Sequence, residues 1–138
     1  HGFDSPQSLA ELSVHEFGHS FVNHLLEPPH YADVIERFVA LYAAERESGQ
    51  MGWSPRVNVA EHIIRACEVR IALVANQPQD AARLLQHHID QYGCRHLPEI
   101  VDAMDDYEQN RDRYPSLTAF MPDLMRCFDE IALRHHVG

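Results

Sequence analysis

Six stretches with helical periodicity constrain the fold more than any other feature of this 138-residue chain. Most of them open at or beside a proline, which suits the first turn of a helix because the missing N–H would be unpaired there in any case. Within the stretches, apolar residues recur at helical spacing, and nowhere do apolar and polar residues alternate as in a half-buried strand. The sequence therefore predicts an all-α fold of about six helices, within 5–26, 31–49, 54–75, 77–93, 97–114 and 115–136.

Charge and length limit the partners of the chain. The formal net charge is −10 at pH 7, and the eleven basic residues are all arginine. So acidic a chain repels nucleic acid and anionic membrane surfaces, and no apolar run approaches the ~20 residues of a membrane span. We expect no nucleic-acid partner and no membrane insertion, and leave the oligomeric state open.

The length fits one helical domain, 1–138. Because the chain lacks an initiator Met and opens close to its main motif, we expect it to be part of a longer protein.

An HExxH motif lies in the first predicted helix, as His15-Glu16-Phe-Gly-His19. Histidines four residues apart share one face of a helix, so both imidazoles can reach one tetrahedral Zn²⁺. Glu16 lies about 100° round the helix from His15, close enough to reach a zinc-bound water without ligating the metal. Zinc lowers the pKa of such a water to about 7, and the carboxylate accepts its proton during attack on a carbonyl. The motif thus indicates a catalytic zinc site.

A catalytic site of this kind needs a third protein ligand. The metzincin pattern requires glycine and histidine where this chain has Val22 and Leu25, so that class is excluded. His24 lies five residues after His19 and is turned about 140° away on a continuous helix. We interpret His24 as a polar residue near a helix end.

A glutamate from a later helix is the remaining source, as in gluzincins, which use two histidines and one glutamate. The third predicted helix offers Glu61 and Glu68. They share a face but lie about 10 Å apart along the axis, so only one of them can ligate the metal. Either could instead be a surface carboxylate paired with Arg65, because the spacing allows both pairs.

Three segments of the chain resemble a family of bacterial proteins known only as a domain of unknown function. They are VHEFGHSFVN at 14–23, AEHIIRA at 60–66 and YEQNRDRYPSLTAFMP at 107–122. The family has HEFxHSFVNP-like, NExxVRA-like and YExNRxxYPTFxxFMP-like segments in the same order. The chain departs from it at His24, where the family often has proline, and at Ala60, where it often has asparagine.

The resemblance implies a gluzincin-like zinc metallopeptidase acting on a peptide or protein substrate. His15, Glu16 and His19 fall on the family's HExxH, and Glu61 falls on the glutamate of the second segment. The resemblance therefore selects Glu61 over Glu68 as the third zinc ligand.

The third segment is where we look for residues that stabilise the transition state. Tyr107, Arg111 and Tyr114 could each donate a hydrogen bond to an oxyanion if their loop folds over the zinc. Tyr107 fits better as a packing residue, whereas Tyr114 precedes a proline and so lies outside a helix. We take Tyr114 as the candidate. A competing hypothesis is a helical interaction module that binds zinc without turnover, since zincins usually hold substrate against an edge strand and the sequence predicts no strand.

Overall fold

The computed structural model describes residues 22–51 and 53–135, and every regular element in these two ranges is helical. The predicted all-α fold is therefore confirmed. Residues 22–25 are helical, and short 3₁₀ turns span Pro29–Tyr31 and Ala40–Tyr42. The α-helices are α1 (Ala32–Val39), α2 (Ala43–Glu47), α3 (Pro55–Val74), α4 (Pro78–Tyr92), α5 (Leu97–Gln109) and α6 (Leu117–Arg134). None of the helices in the described part of the chain has the length and apolar composition needed to cross a membrane.

Helix α3 is the centre of the bundle. It begins at Pro55, and the Ser54 side chain caps it by accepting a hydrogen bond from the Val57 N–H. Every residue from 58 to 66 is buried, because α3 packs against α1, α4 and α5 on different sides. Between residues 58 and 66 the helix therefore has no solvent-exposed face to hold its polar side chains. Those it carries must find partners inside the bundle.

The predicted helix at 31–49 is interrupted, because the chain tightens into a 3₁₀ turn at Ala40–Tyr42 before α2. Tyr42 is fully buried there, with its ring 5.5 Å from that of Phe38 and 5.2 Å from that of His62. The interruption thus accompanies the burial of a large aromatic side chain between α1 and α3.

The predicted helix at 97–114 ends early, at Gln109. Asn110 follows, and its Nδ2 donates to the Asp106 carbonyl oxygen across 2.8 Å. A side chain that bonds a backbone carbonyl in this way competes with the next helical hydrogen bond. The remaining residues to Pro115 form a turn and a short loop, from which Tyr114 enters the core.

Candidate metal centre

The HExxH motif itself, His15, Glu16 and His19, lies outside the described residues. Of the proposed zinc ligands, the structure describes Glu61 alone. The candidate centre is therefore built here from Glu61 outward.

Glu61 is a buried carboxylate, only 3% exposed, in the first half of α3. One turn further along the helix, the Arg65 Nε donates to the Glu61 Oε2 across 2.8 Å. Spacing alone allowed Arg65 to pair with either Glu61 or Glu68, and the structure forms the pair with Glu61. The third ligand that the resemblance selects is thus held by a charge-assisted hydrogen bond at one of its two oxygens.

Arg65 is itself fixed from several sides. Its guanidinium carbon lies 4.1 Å from the centre of the Tyr92 ring and 5.4 Å from that of Trp53. These two rings stack at 5.9 Å with an angle of 28° between their planes. Arg65 Nη1 also donates to His88 Nδ1 across 2.8 Å. Because the guanidinium is planar and stacks on aromatic rings, these contacts leave it little freedom to release Glu61.

His88 extends this arrangement from α4. Since its Nδ1 accepts a hydrogen bond from Arg65, the imidazole is neutral and its proton lies on Nε2, which is 3.7 Å from Glu68 Oε1. The sequence predicts that the pairs His87–His88 and His135–His136 lie on solvated helix faces rather than in a second metal site. That is correct for His87, which is exposed, and wrong for His88, which is buried.

A sequence signal for His88 exists. Ala81, Leu84 and His88 follow one another at helical spacing and are the buried residues of α4. Their shared period places the histidine on the apolar stripe of the helix rather than on its polar face.

Together, Glu61, Arg65, Glu68 and His88 form a buried polar cluster, called here the Glu61 cluster. It holds two carboxylates, one guanidinium and one neutral imidazole. Outer-shell partners commonly fix the orientation of a carboxylate that binds a metal. Glu61, whose Oε2 accepts from Arg65, therefore fits as a ligand of a divalent metal ion.

Tyr114 occupies a different environment. It is 6% exposed, its hydroxyl donates to Asp123 Oδ2 across 2.6 Å, and its ring contacts that of Phe120 at 4.8 Å. The hydrogen bond to Asp123 raises the pKa of Tyr114 and lowers that of Asp123. The hydroxyl thus stays protonated near neutral pH, as a donor to an oxyanion must be.

The position of Tyr114 relative to Glu61 follows from the packing of α5. Near the end of α5, Glu108 accepts two hydrogen bonds from Arg70 of α3, at 2.8 and 3.0 Å. Arg70 is nine residues beyond Glu61, about 13.5 Å along the helix. The contacts of α5 and its following loop thus lie towards the other half of α3, and a role for Tyr114 at the metal stays a prediction.

A cleft of about 720 Å³ opens at the beginning of α3. Its walls include Asn23 and Leu26, which follow the HExxH motif in the chain, and Val57, one turn before Glu61. The cleft therefore lies beside residues 23–26 and beside the beginning of the helix that carries Glu61.

Comparison with known proteins gives one match. No curated protein and no solved structure matches the chain. A family model described as a domain of unknown function, DUF4932, matches residues 2–127, a range that includes all three segments on which the resemblance depends. The chain therefore belongs to this family of domains of unknown function, DUF4932.

Proposed function

We propose that the chain is a zinc-dependent metallopeptidase domain of the gluzincin type. His15, His19 and Glu61 would hold the zinc, and Glu16 would be the general base. The observation that carries the proposal is the buried Glu61 carboxylate, which Arg65 holds at Oε2. A glutamate ligand oriented in this way completes the His₂Glu set of a catalytic zinc site.

The residues of the chain divide the work. When bound, zinc would supply Lewis acidity and lower the pKa of a water to about 7. Glu16 would accept a proton from the attacking water and return it to the leaving amine. Arg65 would keep the Glu61 carboxylate in one orientation, so that Glu61 occupies one metal position and the fourth position stays open for water.

The cleft beside α3 is the proposed substrate site. Its volume of about 720 Å³ is within the range of small-molecule and peptide pockets. The walls combine apolar groups, such as Leu26, Pro29 and Ile35, with the charged side chains of Glu27, Glu36 and Arg56. This composition favours a peptide with an apolar side chain flanked by polar or charged groups.

A second candidate function is a zinc-binding helical module without turnover. It is favoured by the absence of a strand from residues 22–51 and 53–135, because zincins usually hold substrate against an edge strand. Zinc content cannot separate the two candidates, since both bind the metal. An assay of peptide hydrolysis can separate them.

The ligand assignment is tested by zinc analysis of Glu61→Gln and Glu68→Gln. Both glutamates are buried on α3, so each variant controls for the effect of neutralising a buried carboxylate. We expect Glu61→Gln to lose zinc bound at the HExxH motif and Glu68→Gln to keep it. Circular dichroism of both variants verifies the fold. Loss of zinc from the Glu68 variant alone would contradict the assignment.

The catalytic proposal is tested with Glu16→Gln and a peptide library. We expect this variant to keep its zinc and to lose hydrolysis by several orders of magnitude, on the order of 10²- to 10⁴-fold or more. Glu47→Gln, which changes an exposed glutamate of α2 outside the cleft, is the control and should retain turnover. A zinc-loaded wild type that cleaves no peptide would favour the module.

A further inference from the structure

Two histidines and a glutamate meet where the beginning of α5 approaches the end of α6. His96 precedes α5, Glu99 lies in its first turn, and His135 follows the last residue of α6. Each offers one ligand atom, and the three atoms all lie within 4.8 Å of one another. Among the residues that the structure describes, this is the one group of three or more such side chains with its ligand atoms so close together.

Two of the separations are close to those around a metal ion. His96 Nδ1 is 3.2 Å from Glu99 Oε1, and His135 Nε2 is 3.8 Å from the same oxygen. Ligand atoms about 2.0–2.2 Å from a tetrahedral Zn²⁺ lie roughly 3.3–3.5 Å from one another. One of the two distances is slightly shorter than this range and the other is slightly longer. All three ligand atoms lie within 4.8 Å of one another, so small movements of the partly exposed Glu99 and His135 side chains would let the three groups contact one ion.

Hydrogen bonds from neighbouring groups also orient two of the proposed ligands, Glu99 and His96. Arg134 Nη2 donates to Glu99 Oε2 across 2.5 Å, which turns the other carboxylate oxygen towards the two imidazoles. The His96 backbone N–H donates to the buried Tyr42 hydroxyl across 3.4 Å, which anchors the residue beside the core. An outer-shell partner that orients a ligating carboxylate is a common feature of metal sites.

We propose that His96, Glu99 and His135 form a binding site for a divalent transition-metal ion such as Zn²⁺, separate from the HExxH motif. Two imidazoles and one carboxylate are a donor set that suits zinc, with water in the remaining position. Glu99 and His135 are 31% and 44% exposed at their side chains, so an ion and its water can enter from solvent. A bound ion would join the beginning of α5 to the end of α6. The proposal does not depend on the function proposed above.

The competing explanation is a proton in place of the metal, with an imidazolium paired to Glu99. Such exposed ion pairs are common and weak. The chain offers an internal control, because His24 and Glu27 form a similar pair at 2.9 Å with the same three-residue spacing. The structure places no third ligand with that pair among the described residues. The two clusters should therefore differ in metal affinity.

The test uses the whole chain with His15→Ala and His19→Ala, which removes the motif histidines. We expect this protein to bind one equivalent of Zn²⁺ in a calorimetric titration. Adding Glu99→Gln or His135→Gln should weaken binding by at least the 10- to 100-fold typical of losing even an outer-shell partner. Adding His24→Gln should change nothing. With Co²⁺ as the probe, visible absorption bands of tetrahedral coordination should appear and disappear with the same variants.

Two results would overturn the proposal. One is that the protein without His15 and His19 binds no Zn²⁺ or Co²⁺ while circular dichroism shows it folded. The other is that it binds metal with an affinity that Glu99→Gln and His135→Gln leave unchanged. Both replaced side chains are partly exposed, so neither variant is expected to unfold the chain. If the proposed zinc site at the HExxH motif is wrong, a different result shows it: His15→Ala and His19→Ala would leave the zinc content of the chain unchanged.

Discussion

Arg65 Nε donates to Glu61 Oε2 across 2.8 Å while the two side chains are only 9% and 4% exposed. A buried pair of this kind adds little net stability, because desolvating both charges costs about as much as their attraction returns. Its consequence is geometric, since the carboxylate of Glu61 is fixed in one orientation. Removing either partner would leave the other charged and buried.

Arg65 is the first residue we would replace. Arg65→Lys keeps the positive charge but loses the planar guanidinium and its contacts with the Trp53 and Tyr92 rings. We expect zinc affinity at the HExxH motif to fall by about 10- to 100-fold, as for loss of an outer-shell partner. A competition titration with a chelator measures this. Arg56→Lys, on an exposed position of the same helix, should leave the affinity unchanged.

Replacing Arg65 with an uncharged residue tests whether its ion pair with Glu61 is buried in solution. Because Arg65→Met leaves Glu61 without this cation in the core, the free energy of unfolding should fall by about 3–5 kcal/mol. Arg56→Met changes an exposed residue and should cost no more than about 0.5 kcal/mol. Urea denaturation of both variants gives the comparison. Equal stabilities would show that Arg65 is not buried against Glu61 in solution.

Tyr114 is tested by separating its hydrogen bond from its predicted role as an oxyanion donor. Tyr114→Phe removes the bond to Asp123 Oδ2 and should lower stability by about 1.5–3 kcal/mol, the range for hydrogen bonds to charged groups. Asp123→Asn weakens the same bond but keeps the Tyr114 hydroxyl. If Tyr114 acts in catalysis, Tyr114→Phe should reduce kcat far more than Asp123→Asn. Equal turnover in the two variants would leave Tyr114 a packing residue only.

The sequence predicts the fold class because it depends on local signals. Residues next to each boundary determine where a helix begins or ends. Ser54 and Pro55 determine the beginning of α3, and Gly93, with φ of +74°, determines the end of α4. The break at Ala40–Tyr42 could not be predicted in this way. It depends on Tyr42 meeting His62, twenty residues away, in the core.

The same division holds for the candidate sites. Glu61 and Arg65 are one turn apart, so their pairing could be anticipated as one of two alternatives. His88 joins them from another helix, and only its place on the apolar stripe of α4 indicated burial. His135 lies 36 positions after Glu99 in the sequence, and no local spacing relates the two. Tertiary packing alone brings them together.

His62 is the source of the last prediction. Its Nδ1 lies 2.8 Å from the Asn58 carbonyl oxygen, which can only accept, so Nδ1 carries the proton. Its Nε2, 3.1 Å from the Tyr42 oxygen, therefore accepts from that hydroxyl. Burial is the main reason that the pKa of His62 is lowered from 6.5 to about 4. The folded chain thus resists protonation at a position where the unfolded chain accepts a proton readily.

The sign of the pH dependence follows from that difference. Between pH 6.5 and about 4 the unfolded chain binds the His62 proton and the folded chain does not, so stability falls as the pH falls. The loss should approach about 3 kcal/mol and level off below pH 4. His62→Gln removes this titration, and comparing urea unfolding of the two proteins at pH 7, 5.5 and 4.5 isolates it from the other histidines. We expect the stability difference between them to shrink steadily with acidification; parallel profiles would mean that His62 is accessible to protons in the folded chain.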